Sequence, residues 1–182
     1  MANFTVTNTT GMGGGSVQQA AATTYKSLVV VGNSSATTAT VGGGAYRRGK
    51  LYDLMVGTAG TPADNYYEFD GALITLATTP AGITGTLISS LSSTFALDPA
   101  DTSFVAAIEI NSTGEVGITA LTEKWYLGIN QRASYRWVCA PGSEILYPAA
   151  SSGVATGNGL TVRGRSGAGT VNMTATVMVS EQ

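Results

Sequence analysis

Two closely spaced carboxylates are the residues whose types and spacing come nearest to a catalytic arrangement. Glu68 and Asp70 stand two positions apart in ADNYYEFD (63–70), so a strand would place both on one face. A glycosidase needs two carboxyl groups about 5 to 9.5 Å apart. Tyr67 and Phe69 alternate with them, however, and this is also the pattern of a strand with one core face and one solvent face. We therefore favour a structural role for the two carboxylates.

Other common catalytic groups are scarce. The chain has no histidine, which excludes Ser-His-Asp and Cys-His arrangements and an imidazole base. Its single cysteine, Cys139, excludes an internal disulfide and a multi-cysteine metal site. A calcium loop at Asp98 and Asp101 is disfavoured, because calcium takes about six to eight oxygen ligands. We expect no enzyme activity and no cofactor.

The segment NQRASYRWVCAPGSEILYP (130–148) combines two arginines with three large aromatic residues: Arg132, Arg136, Tyr135, Trp137 and Tyr147. These side chains could clamp a ligand, or they could lie where the core meets a partner subunit. If 134–139 is a strand, Tyr135 and Trp137 share one face and Arg136 lies on the other. A base-stacking surface needs rings and cations on the same face. We therefore expect Trp137 in the core, where Trp137→Ala would cost about 3 to 5 kcal/mol. Arg136 would pair with a carboxylate of a neighbouring strand or subunit.

Charge is sparse and close to balanced. Only 11% of the residues are charged and the net charge is −2, whereas about 25% are charged in an ordinary soluble domain. A nucleic-acid partner is not expected, because it requires a surplus of Lys and Arg. A surface with so few charges favours covering by copies of the same chain. We predict that the basic side chains of the local clusters lie at subunit contacts: Arg47, Arg48, Arg132, Arg136, Arg163 and Arg165.

Apolar residues recur with a period of two, which predicts an all-β fold. In TVNMTATVMVS (170–180), one set of side chains would face a core: Val171, Met173, Ala175, Val177 and Val179. Similar segments occur at 27–31, 50–56, 66–77, 104–110, 116–122, 124–129, 134–139 and 160–165. Eight or more such strands favour two packed sheets or a barrel. The glycine-rich segment 7–16 predicts a flexible N-terminal arm at 1–24, followed by one β domain at 25–182.

No stretch approaches the roughly 20 apolar residues that span a bilayer, and the N-terminus has neither a basic start nor an apolar run. We expect no membrane partner and synthesis in the cytoplasm.

Four segments resemble small virion proteins of tailed bacteriophages, of the capsid decoration or cement type. They are GTAGTPADNYYEFD (57–70), LDPADTSFVAAIEIN (97–111), WYLGINQRASYRWVCAPGSEILYPA (125–149) and TATVMVSEQ (174–182). The resemblance implies an antiparallel two-sheet sandwich of jelly-roll type. It also implies a homotrimer that binds the major capsid protein on the outside of a phage head, and it implies no enzyme activity.

A carbohydrate-binding sandwich on a virion spike or tail is the alternative function. Exposed aromatic rings of such a module stack on sugar rings. Tyr46, Tyr66 and Trp125 are the candidates for such stacking, because they fall near the ends of predicted strands.

Overall fold

The computed structural model describes residues 2–8, 19–21, 23–33, 48–59, 65–76, 86–88, 107–111, 118–130, 133–147 and 157–181. Twelve strands occupy most of them: β1 Ala2–Thr7, β2 Gln19–Ala21, β3 Lys26–Asn33, β4 Gly49–Ala59, β5 Tyr66–Leu76, β6 Thr86–Ile88, β7 Ala107–Ile110, β8 Ile118–Asn130, β9 Ser134–Val138, β10 Ile145–Tyr147, β11 Gly157–Ser166 and β12 Val171–Glu181. Within these ranges no helix is long and apolar enough to cross a membrane.

The strands form two antiparallel sheets. In the first sheet the order is β1-β12-β4-β10, with β2 also paired to β12 and β9 also paired to β4. In the second sheet the order is β6-β7-β3-β11-β5-β8. Turns with glycine at positive φ, at Gly142 and Gly169, lie between β9 and β10 and between β11 and β12.

One hydrophobic core lies between the two sheets. The inward side chains of β12 are those expected from the alternation: Val171, Met173, Ala175, Val177 and Val179 are all buried. The second sheet contributes Val29, Phe69 and Val162 to the same cluster. The prediction of an all-β, antiparallel two-sheet sandwich is confirmed. The jelly-roll connectivity stays a prediction.

The N-terminal residues depart from the predicted arm. Ala2–Thr7 pair along their whole length with Thr176–Glu181 of β12, and Phe4 and Val6 are fully buried in the core. The arm prediction for 1–24 is therefore wrong at Ala2–Thr7, since the alternation of ANFTVT lets this segment bury an apolar face. It is also wrong at Gln19–Ala21, which pair with Val171–Met173 of β12. Residues 9–18, which include most of the glycine-rich run, lie outside the described residues.

Asn8 extends the pairing of β1 with β12 by one residue, through both its backbone and its side chain. Its backbone N–H donates to the carbonyl of Ala175 at 3.1 Å. Its side-chain oxygen accepts from the amide of Ala175 at 2.7 Å, and its Nδ2 donates to Met173 and to the side chain of Asn111. Because Asn111 follows β7, these hydrogen bonds tie the first strand to the second sheet.

The two segments expected at 116–122 and 124–129 form one strand, β8. The register between β5 and β8 shifts between Gly71 and Ala72, so that Gly71 pairs with Trp125 and Ala72 with Glu123. Lys124 is the extra residue of this bulge and is exposed. β8 is the outermost strand of the second sheet among the described residues.

Candidate functional site

A buried ion pair lies on the outer face of the second sheet. Arg163 of β11 and Asp70 of β5 are directly opposite each other. The Nε of Arg163 donates to Asp70 Oδ1 at 2.9 Å and its Nη2 donates to Oδ2 at 2.5 Å. The side chain of Asp70 has no exposed area and that of Arg163 is 9% exposed. Glu123 of β8 approaches the same guanidinium at 4.0 Å. This two-point contact supports the register of β5 against β11.

A second ion pair extends this contact into a network. Arg165 faces Glu68 across the same two strands and donates to its carboxylate. Tyr25 donates its hydroxyl proton to Glu68 Oε2 at 3.0 Å, and the guanidinium groups of Arg163 and Arg165 lie 4.5 and 4.7 Å from its ring centroid. We call Tyr25, Glu68, Asp70, Arg163 and Arg165 the arginine–carboxylate network.

Two groups of this network have shifted pKa values. The hydrogen bond from Arg165 is the main cause that lowers the pKa of Glu68 below its ordinary value. Burial, followed by the hydrogen bond to Glu68, raises the pKa of Tyr25. At neutral pH the carboxylate is therefore ionised and the phenol is neutral.

The expectation that Glu68 and Asp70 share one strand face is confirmed. Both carboxylates, however, are bound by arginines of the adjacent strand. A glycosidase acid requires a carboxyl group whose pKa is raised, and that of Glu68 is lowered. In the described residues no group of three His, Cys, Asp or Glu side chains could hold a metal ion. Asp98 and Asp101 lie outside these residues.

A pair of exposed tyrosines lies beside this network. Tyr66 and Tyr126 are 46% and 52% exposed, and their hydroxyl oxygens are 2.9 Å apart. The Tyr66 side chain lies across Gly128, where a Cβ atom would come within 2.1 Å of the hydroxyl oxygen. The pKa of Tyr126 is raised to about 12, and the hydrogen bond to Tyr66 is the largest cause. The Tyr126 ring is therefore neutral at physiological pH.

The outer face of the first sheet has a different composition. Neutral side chains from β1, β4 and β12 occupy it: Thr5, Thr7, Met55, Thr174, Thr176 and Met178. We call these six residues the threonine–methionine face. A shallow groove of about 230 Å³ crosses it, lined by Asp53, Met55, Arg136, Thr176 and Met178.

Arg136 and Asp53 form the ion pair of this groove. Arg136 Nε donates to Asp53 Oδ1 at 3.1 Å and Nη2 donates to Oδ2 at 2.5 Å. The Asp53 side chain is 8% exposed, whereas that of Arg136 is 61% exposed. The prediction that Arg136 pairs with a carboxylate of a neighbouring strand or subunit is confirmed for the neighbouring strand β4.

Next to this face, the single cysteine lines an open surface depression of about 350 Å³. Asn3, Lys50, Tyr52, Cys139 and Glu144 are among its lining residues. Lys50 Nζ is 3.8 Å from Glu144 Oε1. Burial is the main cause that raises the pKa of the Cys139 thiol, and the Glu144 carboxylate adds to it. The thiol is therefore protonated near neutral pH, which does not favour a nucleophilic role.

On one side of the sandwich, between β8 and β9, part of the core remains exposed. The side chains at this place are Trp125, Leu127, Ile129, Tyr135 and Trp137. We call these five residues the open side. Trp125, Leu127, Ile129 and Trp137 pack against the core but are only partly buried. Tyr135 is 40% exposed, and its ring centroid lies 6.4 Å from that of Trp125. The prediction that the Trp137 side chain faces the core is confirmed. The ring is only partly buried, however, because β9 is an edge strand among the described residues.

The six predicted interface arginines have different environments. Arg163 is buried and bound to Asp70, so it cannot reach a partner, and the prediction is wrong for this residue. Arg165 and Arg136 each form an ion pair with a carboxylate of the same chain, but part of each side chain remains exposed. Arg48 is exposed. Arg47 and Arg132 lie outside the described residues.

The aromatic residues proposed for sugar stacking also differ in their environments. Tyr66 is exposed, as a stacking residue must be. Trp125 points to the core side and belongs to the open side. Tyr46 lies outside the described residues.

No protein-family model matches the chain, no curated protein is significantly similar to it, and no solved structure matches it.

Proposed function

We propose that this protein is a structural component of a bacteriophage virion, a decoration or cement protein that binds the outside of the head. It would contact the major capsid protein through its threonine–methionine face. The observation that carries this proposal is the neutral composition of that face, whose bordering ion pairs, Arg136–Asp53 and Lys50–Glu144, are satisfied within the chain. The resemblance of four segments to decoration proteins supports the same function.

The physical argument concerns desolvation. A contact across capsid subunits removes a whole sheet face from water, and removing unpaired charges from water costs far more than removing hydroxyl or thioether groups. Methionine is enriched in protein interfaces and charged residues are depleted at their centres. Met55 is 47% exposed, so its side chain is available for such a contact. Asp53 keeps its partner Arg136, so the contact would leave no carboxylate unpaired.

Mass spectrometry of purified phage particles tests the virion location. The proposal expects the protein among the head components at a copy number set by the shell symmetry. Its presence only among infected-cell proteins, and not in particles, would contradict a virion role.

A substitution on the face tests the contact itself. Met55→Lys places a second cation opposite Arg136 in the groove, so readdition to particles stripped of the protein should show affinity reduced by about tenfold or more. Thr170→Lys is the matched control, because Thr170 is exposed in the turn between β11 and β12. Equal affinity of the two variants, with both folded by circular dichroism, would refute the contact.

The exposed tyrosines favour one second candidate, carbohydrate binding. Tyr66 and Tyr126 present exposed rings joined by a hydrogen bond between their hydroxyl groups, with Gly128 leaving room for the Tyr66 side chain. Sugar rings stack on such surfaces, and the neighbouring Glu68 and Arg165 carry polar atoms that could bind hydroxyl groups. This function would place the protein on a spike or tail rather than on the shell.

A glycan array followed by calorimetry tests this candidate. Tyr126→Ala should weaken a bound glycan about tenfold or more, and Gly128→Ala should weaken it by displacing Tyr66. Tyr135→Ala, on the open side, is the control and should bind normally. Absence of binding to every glycan on the array would remove the candidate.

A further inference from the structure

We infer that the open depression of about 350 Å³ beside the threonine–methionine face is a binding site for a carboxylate group. Its lining residues include Asn3, Lys50, Tyr52, Cys139 and Glu144, and we call it the lysine depression. The inference rests on the proposed function for the source of the ligand, which is an acidic side chain of the major capsid protein. The site itself does not depend on that function.

The turn between β9 and β10 builds one wall of the lysine depression. Both strands pair with the edge of β4 that lies away from β12, so residues 139–144 between them project from the sheet. The backbone N–H of Cys139 donates to the carbonyl of Tyr52 at 3.0 Å, and that of Ser143 donates to the carbonyl of Ala140 at 2.9 Å. Because these hydrogen bonds hold the turn, the wall is formed before a ligand binds, which lowers the cost of binding.

A buried hydroxyl group lies between two side chains of the depression. Ser180 of β12 is directly opposite Asn3 of β1 and Lys50 of β4, and directly opposite residues of antiparallel strands share one face of the sheet. The Ser180 side chain has no exposed area, and its Oγ has no hydrogen-bond partner among the described residues. Buried hydroxyl groups nearly always have a partner. The hydrogen bond of Ser180 is therefore assigned to a ligand, which reaches it when the Lys50 side chain turns aside.

The polar groups of the depression are mainly hydrogen-bond donors. Lys50 Nζ is 3.8 Å from Glu144 Oε1, which is too long for a hydrogen bond. Backbone hydrogen bonds from Glu144 and Gly142 are the largest causes that lower the pKa of the Glu144 carboxyl, so the turn already stabilises its ionised form. Burial raises the pKa of Tyr52, whose hydroxyl keeps its proton. A ligand that accepts hydrogen bonds from Lys50, Tyr52 and Ser180 fits this set, and a carboxylate is such a ligand.

Charge favours the same ligand. A neighbouring depression of about 250 Å³ shares Lys50 and Glu144 with the lysine depression and adds the exposed Arg48. The two cations and the one carboxylate leave a net charge of +1 over the two depressions. The nearby pair of Arg136 and Asp53 adds no net charge. An acidic group is therefore attracted to this end of the sheet, and a basic group is repelled.

The position of the depression favours a protein as the source of the carboxylate. β1, β4 and β12 carry both the lysine depression and the threonine–methionine face. A protein that covers the face therefore also covers the depression and removes its carboxylate from water. The neutral face then supplies most of the contact area, and the acidic side chain fixes its position on the sheet.

Titration of the isolated full chain with sodium acetate, followed by backbone amide chemical shifts, tests the site without any particle. Acetate replaces chloride at constant ionic strength, so that the shifts report the carboxylate and not the salt concentration. The amides of Lys50, Tyr52 and Ser180 should shift and saturate with acetate but not with acetamide, which has the same shape and no charge. Equal shifts with acetamide, or no shifts at these residues, would overturn the inference.

Ser180→Ala distinguishes a ligand-binding hydroxyl from a structural one. It should weaken acetate binding about tenfold and raise the Tm by roughly 2 to 4 °C, because the free protein loses a buried hydroxyl that has no partner. Ser166→Ala is the matched control, since Ser166 is also buried but donates to the carbonyl of Ala168 at 2.8 Å. It should lower the Tm and leave acetate binding unchanged. A lower Tm with unchanged acetate binding in Ser180→Ala would show that its hydroxyl is structural.

Readdition of variants to stripped particles tests the source of the ligand. Lys50→Met should weaken both acetate binding and particle binding about tenfold, whereas Lys124→Met, which removes an exposed charge from β8, should bind like the wild type. If Lys50→Met loses acetate binding but keeps its affinity for particles, the capsid protein is not the source of the carboxylate and that assignment is wrong. A wild type that binds acetate but no particle would keep the site and contradict the proposed function.

Discussion

The two sheets each carry an Arg–Asp ion pair on the outer face, and the two pairs differ in burial. In the second sheet, Arg163 and Asp70 are almost completely buried. In the first sheet, Asp53 is nearly buried but the side chain of Arg136 is 61% exposed. Both pairs join adjacent antiparallel strands by two hydrogen-bonded contacts. The same chemistry therefore has a structural role in one sheet, while in the other it leaves a surface open to partners.

The difference extends beyond the pairs themselves. Four charged side chains of the second sheet form the two ion pairs of the arginine–carboxylate network, and each has a partner from an adjacent strand. The first sheet has the threonine–methionine face, bordered by the ion pairs Arg136–Asp53 and Lys50–Glu144. A face with few charges is cheaper to desolvate. The proposed contact with the capsid is for this reason assigned to the first sheet.

The largest expected effect comes from breaking the buried pair. Arg163→Met leaves the Asp70 carboxylate buried without its guanidinium, which should lower the free energy of unfolding by about 3 to 5 kcal/mol. Urea denaturation at neutral pH measures it. The double variant Arg163→Met, Asp70→Leu should recover much of the loss, because it removes the unpaired charge.

Arg136→Met is the matched control, since it makes the same change in the exposed pair. It should lower stability far less than Arg163→Met, because an exposed ion pair is largely screened by water. Equal losses in the two single variants would remove the distinction between the sheets.

A smaller effect is expected at the open side. Trp137→Ala should lower the free energy of unfolding by about 1 to 2 kcal/mol, less than the 3 to 5 kcal/mol typical of a fully buried ring, because water already reaches part of the indole. Phe69→Ala, which removes a fully buried ring of the same core, provides the comparison. If dilute, monomeric Trp137→Ala loses as much stability as Phe69→Ala, then the open side is part of the closed core.

The smallest effect is a pH dependence of the arginine–carboxylate network. Since the folded pKa of Glu68 lies below its ordinary value of 4.5, the ionised carboxylate stabilises the fold above that value. This contribution is lost as the pH falls from about 4.5 through the lowered pKa. Thermal melts of wild type and Glu68→Gln from about pH 6 to about pH 3 should therefore converge at the acidic end. A stability difference that stays constant over this range would show that Glu68 ionisation is not linked to folding.

The sequence was most informative where a pattern could be read within one segment. The alternation of TVNMTATVMVS predicted the buried face of β12, and that of YYEFD placed Glu68 and Asp70 together. The same reasoning could have found β1, because Phe4 and Val6 alternate with polar residues. The glycine-rich run that follows them led instead to the prediction of an arm.

Contacts between distant segments could not be predicted in the same way. Arg163 and Asp70 are 93 positions apart, and only the register of β11 with β5 brings them together. One signal was present, since RGR (163–165) and EFD (68–70) both place charges at every second residue, with opposite signs. Antiparallel pairing of these two segments matches each arginine with a carboxylate. The partial exposure of Trp137 follows from β9 being an edge strand, which depends on sheet order and not on the local sequence.

Electron cryomicroscopy of particles that carry the protein tests the central claim most directly. The account predicts density for copies on the outside of the head, with the threonine–methionine face against the shell. The arginine–carboxylate network would lie away from this contact. Copies that turn the threonine–methionine face to solvent, or that meet the shell through the second sheet, would contradict it.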